Sequence, residues 1–145
     1  MADTAAWAKL LTYHALAVDT IERRLAAADL PPLAWYDALW ALERSEGGRL
    51  RISEFERWMV ISRSNIPRLV DQLEAAGHVR REAAAEDGRG AFAVLSASGR
   101  RMRARMWAVY GAAIDELFAA PLTDGELGQL EATLGKLLGA LRERA

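Results

Sequence analysis

Ser62-Arg63-Ser64-Asn65-Ile66-Pro67-Arg68-Leu69-Val70-Asp71-Gln72-Leu73-Glu74-Ala75-Ala76-Gly77 is the stretch on which the reading of the fold turns. At 3.6 residues per turn Ile66, Leu69, Val70 and Leu73 fall on one stripe, and Arg63, Ser64, Arg68 and Gln72 lie away from it. This spacing predicts an amphipathic helix, with Ser62 as N-cap and Gly77 in the left-handed conformation that ends it. The outward face is not the Glu/Lys mixture of an ordinary solvated helix. Its first turn offers Arg, Ser, Asn and Arg, groups that suit phosphates and base edges.

Outward from this stretch, Ser53-Glu54-Phe55-Glu56 has the S-x-x-E form of a capping box and predicts a short helix running to Met59 or Val60. Two helices separated by a few residues make a helix-turn-helix. Upstream, Leu10, His14, Val18, Ile21 and Leu25 give one face of a long helix from about Ala5 to Ala28, closed by Asp29-Leu30-Pro31-Pro32. A second helix carries Trp35, Tyr36, Leu39, Trp40 and Leu42 and breaks at Gly47-Gly48, before a short extended piece at Leu50-Arg51-Ile52. Downstream, two extended runs, 78–83 and 91–95, enclose Glu86-Asp87-Gly88-Arg89-Gly90, a hairpin tip with Arg89 projecting from it. Ser96 is read as the cap of a long helix that stops at Pro121. Thr123-Asp124-Gly125-Glu126 opens a last helix whose Leu127, Leu130, Leu134, Leu137 and Leu141 form a seam at steps of three and four.

The chain has 145 residues, enough for one domain with a real core. No apolar run reaches the roughly 20 residues a membrane span requires. With no cysteine in the chain, thiol redox chemistry, thiolate metal sites and cysteine nucleophiles are excluded. The N-terminus has no basic start followed by a long apolar run, so a cytoplasmic location is expected. The net charge of −1 hides an asymmetry: Arg57 to Arg105 contains ten arginines and five acids, a net of +5, which leaves −6 for the rest. A basic middle suits a polyanion. No Ser/His/Asp arrangement, phosphate-cradling glycine loop or metal-spaced cluster is present, so neither an enzyme nor a metal or cofactor site is expected.

The order helix, helix, short helix, amphipathic helix, hairpin, two long helices resembles the MarR family of winged helix-turn-helix transcriptional regulators. Ile61 to Glu74 is similar to that family's recognition helix, and Gly77-His78-Val79 to its exit. Asp87-Gly88-Arg89 resembles the D-x-R pattern of the wing, and Leu95 to Arg100 the start of the fifth helix. The resemblance implies a mainly α fold with a small β-hairpin wing. It implies a single 1–145 domain in which 34–95 is the DNA-binding part and 1–30 with 96–145 the helical dimerisation part. The implied function is a ligand-responsive dimeric repressor on a pseudopalindromic operator in double-stranded DNA.

On this reading Ser53, Ser62, Arg63, Ser64, Asn65, Arg68 and Gln72 meet phosphates or the major groove. Arg89 meets the minor groove with Asp87 orienting it. His14, Trp35, Tyr36 and Trp40 are candidates for a pocket holding a small aromatic or phenolic effector, with aromatic core packing as the plainer alternative. The sequence departs from the family at Val60, where Gly is frequent, and at Glu56, where a small apolar residue is usual. It departs again at Pro67, which with Ser62 as cap falls fifth in the helix and is expected to bend it. The rival reading is a winged-helix protein-interaction module that does not bind DNA.

Overall fold

A computed structural model of the chain describes residues 3–61, 65–83 and 90–144. The element order is α1 (Ala5–Ala27), α2 (Leu33–Glu43), β1 (Arg49–Arg51), α3 (Phe55–Trp58), α4 (Ile66–Ala75), β2 (Val79–Ala83), β3 (Ala91–Leu95), α5 (Ala97–Ile114) and α6 (Asp124–Arg144). The chain forms two compact units, Met1–Tyr110 and Gly111–Ala145.

In the first unit α2 is the central helix. Leu33, Tyr36, Asp37, Ala38, Leu39, Ala41 and Leu42 are all buried, so it is covered on nearly every side. Pro32 precedes it and has no side-chain acceptor to offer. Glu22 of α1 supplies one, its Oε1 accepting the Leu33 N–H at 2.6 Å. At its far end Gly47 and Gly48 adopt positive φ, the paired break expected from the sequence.

Around α2 lies a core of Leu39, Leu42, Leu50, Phe55, Met59, Ile66, Leu69, Val70, Leu73, Val79, Ala93 and Leu95. α3, α4 and the sheet each contribute one apolar face to it. The sheet is antiparallel with strand order β1-β3-β2. Leu50 pairs with Ala93, and Val79 with Leu95. Residues paired across neighbouring strands share a face, so these four point into the core and the intervening residues point away from it.

The end of α4 is a full Schellman closure. Gly77, at φ 80°, donates to the Glu74 carbonyl and His78 to the Leu73 carbonyl, both at 2.9 Å. Ser96 joins this exit to α5. Its hydroxyl donates to the Gly77 carbonyl at 2.7 Å and accepts the Gly99 N–H at 3.0 Å, which is the cap read from the sequence. Gly99 is needed for close approach: a Cβ there would lie 2.3 Å from the His78 carbonyl oxygen and 2.6 Å from Leu95 Cδ1.

The start of α3 and the end of α5 differ from expectation. The short 3₁₀ turn Ile52–Glu54 precedes α3, and Glu54, not Glu56, reaches back to accept the Arg51 N–H at 2.9 Å. Ser53 is therefore an exposed residue within that turn instead of a cap, and Glu56 is exposed too. α5 ends at Ile114 and widens into a π-turn, Asp115–Ala119, closed by Ala120 donating to the Asp115 carbonyl. Pro121, which has no N–H, stops the chain from resuming the regular ladder.

In the second unit α6 starts as expected. The Thr123 N–H donates to Glu126 Oε1 at 3.0 Å and the Glu126 N–H to the Thr123 hydroxyl at 3.1 Å. Hydrogen bonds to its carboxyl from the Thr123 backbone first and the Thr123 side chain second hold Glu126 below its ordinary pKa. Among the described residues no helix is long and apolar enough to cross a membrane.

Candidate nucleic-acid interface

α4 buries Ile66, Leu69, Val70 and Leu73 and turns Asn65, Arg68 and Gln72 outward at steps of three and four. Its start differs from the expectation of a Ser62 cap. The helix begins at Ile66, and the cap position is Asn65, held in the left-handed region at φ 55°, ψ 36°. Asparagine is one of the few residues that adopts this conformation readily. Pro67 thus sits in the first turn, where its missing N–H has no partner to lose and its fixed φ suits the helix. The expected bend has no cause. The Asn65 side chain makes no cap hydrogen bond and the first turn holds no acid, so among the described residues nothing negative meets the positive end of the helix dipole beside Arg68.

The acids of α4 lie in its second half and are drawn aside. Arg81 of β2 bonds Asp71 at 2.5 Å and lies 3.9 Å from Glu74. The N-terminal half of the helix keeps a cationic, amide-bearing surface as a result. Together with Pro32, Ala34, Trp35 and Leu69, the three outward residues line a groove of about 230 Å³ between the start of α2 and α4.

Entry into this segment is fixed by a residue the sequence reading missed. Asp37, buried in α2, accepts the N–H groups of Val60 at 2.7 Å and Ile61 at 2.6 Å. A carboxylate can take two backbone donors at once, and burial strengthens both bonds. Its signal was available as the lone acid within the apolar run Leu33-Ala34-Trp35-Tyr36-Asp37-Ala38-Leu39. The same bonds hold Val60 in place with its side chain exposed. Ser62, Arg63, Ser64, Asp87 and Arg89, all assigned to DNA or to the wing from sequence, lie outside the described residues.

The four residues expected around an effector are not gathered into one pocket. His14 is exposed on α1. Trp35 lines the groove beside α4 and meets the His78 ring edge-on at 5.9 Å. Tyr36 stacks on Trp107 at 5.8 Å and meets Tyr110 edge-on at 5.0 Å, while Trp40 lies beneath the Arg103 guanidinium. Burial pushes both tyrosine hydroxyls above their ordinary pKa. For Tyr110 the charges of Tyr36 and Asp37 add to the effect. His78, bonded through Nδ1 to the Ser98 hydroxyl at 2.8 Å, is pushed down by burial first and the Arg105 charge second. Among the described residues no group of three or more His, Asp or Glu could hold a metal ion.

A helix-turn-helix backed by a three-stranded antiparallel sheet, whose last two strands follow the second helix, is a winged helix. In sequence, residues 28–90 match the model of the MarR family. The chain is similar over nearly its whole length to AbsC, a MarR family transcriptional regulator from Streptomyces coelicolor. The two share 29% identity with a TM-score of 0.85, covering 99% of this chain and 97% of that one. It is similar also to Sco3205, a MarR family regulator from the same organism whose structure was solved in complex with DNA. Here the identity is 28% and the TM-score 0.84, over 94% of this chain and 88% of the other. Wild-type MarR from E. coli in its apo form shares the fold at 21% identity and a TM-score of 0.70, over 89% of this chain and 93% of that one. No curated protein sequence matches. This chain therefore has a MarR-type winged-helix segment in sequence and the MarR fold throughout.

Proposed function

We propose that the chain is a sequence-specific DNA-binding transcriptional regulator, a homodimeric repressor of pseudopalindromic operators in the cytoplasm, with no catalytic role. The observation that carries this reading is the stripe Asn65, Arg68, Gln72 on the half of α4 whose first turn holds no acid, with Asp71 and Glu74 held away by Arg81. Guanidinium and amide groups at helical spacing are the side chains that read purine edges and bind phosphates. Similarity to Sco3205, solved with DNA, supports the same conclusion. On this proposal Arg63 and Ser64 enter or border the major groove with Asn65 and Arg68, Ser53 and Ser62 extend the contact toward phosphates, and Arg89, with Asp87 as its orienting partner, reaches the minor groove.

A second copy of the chain is supported by apolar faces left open in each unit. Trp7, Leu11 and Leu16 of α1 are exposed, as are Leu137, Leu138 and Leu141 of α6. A twofold dimer presents two recognition helices about 34 to 36 Å apart, one turn of DNA. For the effector, the groove beside α4 fits better than a pocket shared by His14, Tyr36 and Trp40. Trp35 offers a ring face and Arg68 a guanidinium, suited to a small aromatic acid that competes with DNA for the same arginine.

Selection of bound sequences from a random DNA pool by the full chain tests the reading, and enrichment of an inverted repeat is the expected result. No binding to duplex at any salt concentration assigns the chain to the rival class of winged-helix protein-interaction modules. Arg68→Ala is expected to lower the salt slope of binding by about 1, the signature of one lost phosphate contact.

A further inference from the structure

The sheet has a second face, away from the core, that the interface described above does not use. The register puts Arg49, Arg51, Phe92, Val94, Arg80 and Glu82 on it: Arg49 pairs with Val94, Arg51 with Phe92, Val94 with Arg80 and Phe92 with Glu82. Both β1 arginines converge on one ring. The Arg49 guanidinium lies 4.4 Å from the Phe92 centroid and that of Arg51 4.9 Å. Stacking on the ring holds these two cations in place where exposed side chains would otherwise sample many rotamers.

Among the described residues the register puts one acid on this face, Glu82, which is 3.2 Å from Arg80. The acids nearest the sheet on α4, Asp71 and Glu74, are bonded to Arg81, whose register places it on the opposite face. The result is a shallow basic surface with pre-positioned guanidiniums, spaced along β1 by one strand repeat of roughly 6.7 Å. It is built from all three strands, with β3 at its centre.

We infer that this face binds the phosphate backbone of duplex DNA flanking the operator, so that the sheet holds DNA by its flat outer side. The inference rests on the regulator reading above. A duplex is the occupant favoured over an acidic protein because the cations form an ordered row without an apolar anchor between them: Phe92 is covered by the two guanidiniums and Val94 is buried.

The test uses the full chain and two duplexes that share one selected site. One duplex is about two helical turns long, and the other is extended by about one turn on each side. Binding is measured by anisotropy across a salt series. Arg49→Gln with Arg51→Gln is expected to bind the short duplex as the wild type does, to lose on the order of tenfold on the long one, and to show there a salt slope shallower by about 2. Arg80→Gln, which leaves Phe92 covered, is expected to lower that slope by about 1 and decides the matter should the double variant fail to fold. Wild-type slopes for these variants on the long duplex overturn the inference and leave the regulator reading standing. Equal losses on both duplexes place the arginines on the operator core and overturn the flank assignment. Loss of polyglutamate binding with DNA binding intact assigns the face to an acidic protein and likewise overturns it. A wild-type chain that binds neither duplex overturns the regulator reading itself.

Discussion

In α4 the apolar stripe Ile66, Leu69, Val70 and Leu73 is buried, with Leu73 and Val70 at 0% exposure, whereas in α6 the stripe Leu127 to Leu141 ends with Leu137 at 54% and Leu141 at 67%. Both stripes have helical spacing and both are rich in large aliphatic residues. Periodicity states that a face has to be covered, not by what. α4 is short and its exit is tied to the start of α5 through Ser96, and its stripe closes against Phe55, Leu42 and the sheet within one chain. α6 has a sound N-terminal capping box and an outer surface left for something else, and a second copy is the occupant we propose.

Substitutions in the buried core and on the exposed stripe of α6 break or sharpen this contrast. Leu73→Ala removes a fully buried side chain and is expected to cost about 2–5 kcal/mol in denaturant unfolding, at every protein concentration. A loss within about 0.5 kcal/mol would mean that α4 is not locked to the core. Gly99→Ala drives a methyl into the His78 carbonyl and Leu95, and about 1–3 kcal/mol of destabilisation is expected in the same assay.

The third effect is pH-dependent. His78 is held below its ordinary pKa of 6.5, so the unfolded chain takes up its proton first as pH falls. Its neutral form contributes fully above 6.5, and stability declines as the pH drops below that value. His78→Gln is expected to flatten this decline in a series of melting curves, and an unchanged slope would assign it to other groups. The smallest effect on the isolated fold belongs to Leu141→Glu. Dilute protein is expected to melt as the wild type does, while the rise of the midpoint with protein concentration disappears and sedimentation reports monomer. A variant that still sediments as a dimer would move the contact elsewhere.

Much of the fold was legible because its signals are local. Gly77, Ser96 and Thr123 each end or start a helix through bonds to residues within three positions, or through a backbone conformation that one residue type favours. Where two local signals competed, the reading erred. Ser62 and Asn65 are both good cap residues, and Pro67 was the clue that chose between them, since proline is at home in a first turn and not in a fifth position. Likewise Glu54 and Glu56 each have a residue three positions back to serve, and the shorter 3₁₀ turn selected Glu54.

The candidate site was legible in composition more than in arrangement. Asn65, Arg68 and Gln72 were found by their place on the helix, and they do line one groove. Trp35, Tyr36 and Trp40 were grouped on one short helix, yet Trp35 and Tyr36 are consecutive and point about 100° apart. Trp35 turns to the groove beside α4, while Tyr36 and Trp40, one turn apart, meet Trp107 and Arg103 of α5. Asp37 went unread because its two partners lie 23 and 24 residues further along the chain.

The sequence by itself determined which helices form, which face of each is apolar, and which segment is basic, since these follow from backbone sterics and from patterns spanning one or two turns. Only the tertiary structure decided that Asp37 braces the approach to α4, that Arg81 draws the acids of α4 aside, and that Arg49 and Arg51 meet over Phe92. Each of these joins residues distant in the chain, and such contacts are set by how faces pack and strands register, quantities that no local pattern encodes.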